Sequence, residues 1–332
     1  RYAFSIQYNG RHFLGFQRQI NQEDCILPNG TDHRGLRTVE NYTRDAFRAL
    51  VGEDNFENLQ VSSRTDRGVH ALKNTFHIDI RPRNHHSGLW NMQNLCRGLN
   101  HYLACSNNNH NSNRKHGMKM QEIKILSACL APNSMVSRYY DSSKEENGPP
   151  EVDWNARYSA TSRTYVYRIL CSNAPISTPF EWEYAWMLQR NKELDVTAMH
   201  DAAQYLVGCH DMTSFRNPRC SRRSPIITLY HASVTSQPYG ILDRFGMKYI
   251  QLSPTSKKYD NGQLILVKVT GNSFLYRQVR KMVGCLVNVG LGKLNPLDVK
   301  EILHARDPSK VWSMAPASGL FLVNVEHGDF KI

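Results

Sequence analysis

Ser62-Ser63-Arg64-Thr65-Asp66-Arg67-Gly68-Val69-His70 lies between two stretches that read as strands, 58–61 and 74–80. The second, Asn74-Thr75-Phe76-His77-Ile78-Asp79-Ile80, alternates polar and apolar residues at the period of an extended chain. A tight hairpin needs only Asn-Gly or Asp-Gly at its turn. This turn instead carries a carboxylate with one arginine two positions before it and another directly after, then a glycine and a histidine. Guanidinium groups near a carboxylate favour its ionised form. That is the form a carboxylate nucleophile or electrostatic catalyst requires. A surface turn held by a salt bridge, worth under ~1 kcal/mol, fits the same residues.

Working outward, Tyr2 to Tyr8 reads as a strand, and from Thr38 the residues Val39, Tyr42, Ala46, Phe47 and Leu50 recur at helical spacing. Beyond the turn, 89–103 is a predicted helix with Leu89, Met92, Leu95, Cys96, Leu99 and Leu103 at core spacing. A strand over 121–130 follows, so the order is β-α-β-β-α-β, the ferredoxin-like pattern. From Arg163 the order repeats. A strand precedes a helix over 195–207, and strands at 226–234 and 264–270 flank a short strand candidate at 247–252. A helix over 274–291, a short one over 296–304 and a strand over 319–325 complete it. The fold class is therefore α+β, with ferredoxin-like halves at 1–158 and 159–332. The halves are expected to join in one largely antiparallel sheet with helices on one side. The Asp66 turn then falls in a cleft between them, where the basic segments converge. Polar loops at 21–36, 104–119, 135–151 and 235–262 interrupt the pattern.

Of the 332 residues, 41 are Lys or Arg and 29 are Asp or Glu, a net charge of +12 and a pI near 9.3. Such an excess points to a polyanionic partner, nucleic acid before membrane. No run of ~18 apolar residues is present, so no bilayer span is expected. The eight cysteines form no CxxC pair, and the 14 histidines no HxxxH or HExxH pattern. No metal site is expected, and the scattered cysteines read as reduced thiols. Neither GxxxxGK[ST] nor GxGxxG occurs, so no cofactor is implied. The chain opens on Arg1 rather than Met and enters a strand at once. This predicts a trimmed chain whose targeting segment lies outside the numbering.

Five stretches, in order, resemble the tRNA pseudouridine synthase I (TruA) family. Arg64-Thr65-Asp66-x-Gly68-Val69-His70-Ala71 is similar to its signature, with Arg67 where alanine is usual. Phe13-Leu14-Gly15-Phe16-Gln17-Arg18-Gln19 is similar to a loop that the family places against tRNA. From composition alone, its aromatics equally read as pins to the core. Ala156-Arg157-Tyr158-Ser159-Ala160-Thr161-Ser162-Arg163-Thr164-Tyr165-Val166-Tyr167, Phe274 to Gly284 and Gly319 to Val325 complete the set. Arg97-Gly98-Leu99-Asn100 and Asp211 to Arg216 also resemble family segments. Ser273 to Arg280 and Ala315 to Leu322 are most similar to the pseudouridine synthase-like 1 branch, which leans mitochondrial.

The resemblance implies isomerisation of uridine to pseudouridine in tRNA, near positions 38 to 40 of the anticodon stem-loop. It makes Asp66 the catalytic carboxylate, with Arg64 and Arg280 keeping it ionised and aimed. Tyr165 and Leu320 hold the flipped uracil, Arg18 and Gln19 contact the RNA, and a homodimer is expected. Read from the residues alone, Tyr165 and Leu320 are core positions, while Arg277, Arg280 and Lys281 share a helix face that reads as exposed and basic. Arg219, Arg222 and Arg223 read equally as a solvated cluster or a phosphate patch. An RNA-binding or RNA-folding factor with weak or no catalysis, or a synthase acting on another RNA such as mRNA, are the alternative readings.

Overall fold

The computed structural model describes residues 1–17, 37–81, 89–106, 121–132, 135–136, 151–172, 182–189, 193–239 and 262–332. The chain forms two compact units. The first comprises Arg1–Arg163 together with Leu322–Ile332, and the second is Thr164–Phe321. The last eleven residues thus return to the first unit, which a split at 158/159 does not capture.

The first unit contains β1 (Tyr2–Tyr8), α1 (Val39–Val51), β2 (Phe56–Val61), β3 (His70–Ile80), α2 (Met92–Ser106) and β4 (Ile123–Leu130). These are the six elements of the expected pattern, in order. Met135–Val136 (β5) pairs with Glu151–Val152 (β6) in a two-residue ladder inside a stretch read as loop. Neighbours in the sheet run β4-β1-β3, β2 also pairs with β3, and both β1 ladders are antiparallel. Thr38 caps α1, its side chain accepting from Asn41 N. Phe47 of α1 stands edge-on to Phe4 and Phe76, which stack on each other across β1 and β3. In α2, Leu95, Leu99 and Leu103 are buried, whereas Leu89 precedes the helix and is 70% exposed, so it is not core. Asn100 exchanges hydrogen bonds with both the N–H and the C=O of Ile125 at 2.8 and 2.9 Å. It does so beside the register shift at Ser5/Ile6 in the β1–β4 ladder.

The polar side of β3 is also buried. His77 pairs with Ala3 across the ladder and lies edge-on to Trp154, and both are fully buried. His77 Nδ1 accepts from Ala156 N at 3.0 Å, while Nε2 has no hydrogen-bond partner among the described residues. Burial, reinforced by the positive charge of Arg1 and opposed by Asp79, pushes its pKa down to about 4. Between there and the ordinary ~6.5 of an unfolded histidine, the unfolded chain binds the extra proton. Stability is therefore complete above pH ~6.5 and is lost as pH falls through that window. Acidification from pH 7 to 4.5 is expected to cost about 2–3 kcal/mol through this residue. Urea unfolding at both pH values checks this: His77→Gln should flatten the dependence, and an unchanged slope would refute it.

The second unit contains β7 (Ser162–Ser172, from Thr164 onward), β8 (Trp186–Gln189), α3 (Val196–Gln204), β9 (Gly208–Asp211), β10 (Ile226–Tyr239), β11 (Gly262–Gly271), α4 (Gln278–Gly290), α5 (Pro296–Ala305) and the start of β12 (Leu320–Glu326). The neighbours run β7-β11-β10-β9, and β8 lies parallel to β7. β8 and β9 are additions to the expected pattern, and the strand candidate at 247–252 lies outside the described residues. Nearly every residue of α4 is buried, including the polar Gln278, Lys281 and Asn288. α5 begins with Pro296 at its first position, and Asp298 accepts from Asn295 N at 2.7 Å. No helix among the described residues is long and apolar enough to cross a membrane.

Candidate active site

The Asp66 turn is held mainly through its backbone. Gly15 and Asp66 form a β-bridge, Phe16 N donates to Thr65 O at 3.2 Å, and Gly68 N donates to Phe13 O at 3.3 Å. Val69 N closes the turn on Asp66 O at 3.1 Å. Side chains add to this: Tyr8 Oη and Thr65 Oγ1 are 2.8 Å apart, Asn74 Nδ2 donates to Ser63 O at 2.9 Å, and His70 Nδ1 accepts from Gly10 N at 3.2 Å. The 10–16 loop is therefore the other wall of the turn. Phe13 and Phe16 are fully buried, so its aromatics pin it to the core. Two glycines permit the approach. A Cβ on Gly10 would sit 1.9 Å from Val69 O, and one on Gly15, whose φ is +113°, would meet Thr65 O at 2.7 Å.

This framework leaves the Asp66 side chain half-buried, with Arg64 and Arg67 exposed on either side of it. Partial burial and then the like charge of Arg157 lower the Arg64 pKa, against the opposing pull of Glu40 and Tyr158. Arg157 lies 5.5 Å from the Tyr158 ring centroid, and Glu40 is bridged to Arg44 at 2.9 Å. Two guanidinium groups thus share one neighbourhood, a concentration of charge suited to phosphate. Arg157 is an addition to the residues singled out from the sequence. Its signal there was its place in the Asn155–Tyr158 segment, but nothing in linear spacing ties it to Arg64.

In the second unit, Tyr165 and Leu320 are 6% and 5% exposed. Tyr165 stands edge-on to Phe274 at 5.1 Å. Arg280 is half-buried and donates Nε to Ala315 O at 2.7 Å, while its own carbonyl accepts from Ala315 N at 3.0 Å. Tyr167 Oη donates to Pro316 O at 2.8 Å, and Arg168 N to Gly319 O at 2.8 Å. The 315–320 segment therefore ties α4 to β7 and carries Leu320 at its end. Burial drives the Tyr167 phenol pKa up, opposed by Arg280.

The shared basic face on α4 is corrected by the structure. The helix begins at Gln278, after Arg277 in the left-handed region (φ 62°), not at Phe274. Gln278 turns back to accept from Leu275 N at 2.8 Å, which stabilises the preceding turn. Lys281 is buried, and its Nζ donates to Arg216 O and Pro308 O. Asp66 and Arg64 belong to the first unit, and Tyr165, Arg280 and Leu320 to the second. Arg18 and Gln19 lie outside the described residues.

Tied to this geometry are likenesses that run the length of the chain. It is 32% identical over 329 residues to the tRNA pseudouridine synthase A of Caulobacter vibrioides, covering 99% of each. The chain belongs to the tRNA pseudouridine synthase A family. The Sinorhizobium fredii member is 31% identical over 327 residues, covering 98% of this chain and 99% of its own. That of Agrobacterium fabrum is 30% identical over 329 residues, covering 99% and 93%. A family model described as tRNA pseudouridine synthase matches residues 202–327. In this family member, the turn that carries Asp66 and the 10–16 loop that walls it both lie outside that matched span. Among the described residues, no group of three His, Cys, Asp or Glu side chains is arranged to hold a metal ion.

Proposed function

We propose that this chain isomerises uridine to pseudouridine in the anticodon stem-loop of tRNA, near positions 38 to 40, with Asp66 as nucleophile acting on a uridine turned out of the base stack. Its membership of the tRNA pseudouridine synthase family makes it an isomerase of tRNA uridine. One observation carries the reading of the site: the single carboxylate of the Arg-Thr-Asp turn is presented half-exposed on a framework fixed by backbone bonds. Such fixation is what a nucleophile needs, since misplacement by 1 Å can cost 10²-fold in rate.

The chemistry balances without electron transfer. The bond from uracil N1 to ribose C1′ breaks, the uracil turns, C5 bonds to C1′, C5 loses its proton and N1 gains one. If the Asp66 carboxylate attacks C1′, it displaces the uracil with its electron pair, and C5 later displaces the carboxylate. Addition of the carboxylate to the base is the alternative that the same residues allow.

Arg64 and Arg280 are assigned to keep Asp66 ionised and to meet phosphate. Taking a base out of the stack costs a few kcal/mol, and stacking on Tyr165 with Leu320 on the other face returns ~1–3 kcal/mol. The small exposure of both side chains suits a narrow slot. Arg67 points to solvent, so it leaves the turn unobstructed. The same reading has the enzyme act as a homodimer in mitochondria, which sedimentation and organelle fractionation test.

The test is release of tritium from tRNA labelled at uridine C5, followed by mapping of the modified position. Every isomerisation expels that hydrogen, so the assay does not presuppose the site. Release with modification at 38 to 40 supports the reading. Modification elsewhere removes the anticodon assignment. No release from several unmodified tRNAs, with binding retained, favours the RNA-binding factor.

A further inference from the structure

The second unit carries a built cationic surface that none of the roles above uses. Between Arg216 and Arg223 the chain folds on itself. Arg216 sends Nη2 inward to the carbonyls of Cys220, at 2.7 Å, and Arg222. Cys220 N donates to Asn217 O at 2.9 Å, and Arg219 N to Asn217 Oδ1 at 3.0 Å. From beneath, buried Lys281 donates to Arg216 O at 3.3 Å and ties the loop to Pro308 O at 3.2 Å. Two cations are thus used inside to hold Arg219, Arg222 and Arg223 outside, where all three are exposed.

The loop is also fastened to the turn before α4. Asn217 N donates to Tyr276 O at 3.3 Å, and Arg222 Nη1 to Ser273 Oγ at 2.7 Å. On that turn the guanidinium of Arg277 lies 4.8 Å from the centroid of the Tyr276 ring, which is 37% exposed. Along the chain, 212–242 and 261–297 contain neither Asp nor Glu, and the carboxylates at the base of the loop are Asp211, which accepts from Thr213 N and Oγ1, and Asp307, whose N–H donates to Ser214 Oγ. Three exposed arginines held on one ordered loop concentrate positive charge that a polyanion would complement. Several phosphates beside one exposed aromatic ring match a nucleic-acid strand, with Tyr276, backed by the half-buried Arg277, available for a base or ribose.

We propose that Arg219, Arg222, Arg223 and the Tyr276–Arg277 pair form a docking surface for the tRNA backbone, separate from the residues that hold the target uridine. The inference rests on the proposed tRNA reading. It assigns these residues to binding rather than to chemistry. Each phosphate neutralised contributes about 0.7–0.9 to the slope of log affinity against log salt.

The experiment compares wild type with Arg219→Gln/Arg222→Gln/Arg223→Gln and with Lys268→Gln/Lys293→Gln/Lys300→Gln, which removes three exposed cations from elsewhere in the same unit. Binding of unmodified tRNA is followed by filter retention from 50 to 300 mM KCl, and tritium release gives kcat and KM. The arginine variant is expected to bind about 10- to 100-fold more weakly near 150 mM salt, with a slope shallower by about 2–3. KM should rise by a similar factor while kcat stays within about twofold. Tyr276→Ala should weaken binding by about five- to tenfold with the slope unchanged. Equal losses from the lysine variant would reduce the effect to net charge and overturn the proposal, as would an unchanged slope in the arginine variant. A kcat fall without a KM rise overturns it too. If wild type releases no tritium, the isomerase reading fails, and the binding measurements still decide the docking surface.

Discussion

Asp66→Ala is expected to lower tritium release from C5-labelled tRNA by at least about 10⁴-fold while binding that tRNA at least as tightly as wild type. Loss of a nucleophile that acts as part of a constellation removes most of the catalytic acceleration. Binding should survive because backbone bonds at residues 65, 66, 68 and 69, with the side chains of Tyr8, Thr65, Asn74 and His70, continue to hold the turn. Removing a negative charge beside the arginines also eases the approach of phosphate. Asp66→Glu gives a finer test. It keeps the charge but moves the carboxylate out by one methylene, so turnover should fall by about 10²- to 10³-fold and not vanish. Turnover within tenfold of wild type in Asp66→Ala would remove Asp66 from the chemistry. Loss of both binding and turnover, with an intact fold, would make it a binding residue.

The parts of this molecule legible from sequence are those set by local periodicity. Phe4, Phe47 and Phe76 announce themselves as core by their spacing in a strand, a helix and a strand, and they meet in the structure. What sequence conceals is the fate of polar residues. The alternation in β3 suits a face in contact with water, yet Thr75 and His77 are fully buried, His77 against a Trp154 that arrives from far along the chain. Lys281 falls on a helical stripe with Arg277 and Arg280, and nothing local shows that two carbonyls from distant loops wait for its ammonium. The start of α4 is misread for a related reason. Leu275-Tyr276-Arg277 has ordinary helical propensity, and the Gln278 side chain bonding back to Leu275 N favours a turn there. At the candidate site, the Arg-Thr-Asp turn is legible because its composition exceeds what a hairpin needs. Its wall is not, because Gly10 and Gly15 matter there through close approach to backbone 50 or more residues away in sequence.

Arg163 shows how such long-range bonds bear on the turn. Its guanidinium is buried and forks to three carbonyls: Nη1 donates to Ala160 O at 2.8 Å, and Nη2 to Ser62 O at 3.0 Å and Arg157 O at 2.9 Å. Ser62 is where the chain leaves β2 for Asp66, and Arg157 is the cation beside Arg64. One side chain therefore sets the origin of the turn and the position of its neighbouring charge. Arg163→Met keeps much of the volume but leaves three carbonyls without that donor. Each buried acceptor so stranded costs about 1–3 kcal/mol, and partial relaxation brings the expected total to about 3–5 kcal/mol. For a chain of this size that is a fall of roughly 4–7 °C in Tm. Lysine supplies charge but not a planar fork, so Arg163→Lys should recover less than half of the loss. In the fraction that remains folded at 20 °C, kcat should drop by about tenfold or more while tRNA binding holds, because the turn loses its anchor rather than its carboxylate. Thermal unfolding and single-turnover kinetics on the three proteins measure both effects. Full recovery of Tm and kcat by lysine would mean that a point charge suffices, and that the fork to Ser62 and Arg157 does not govern the turn.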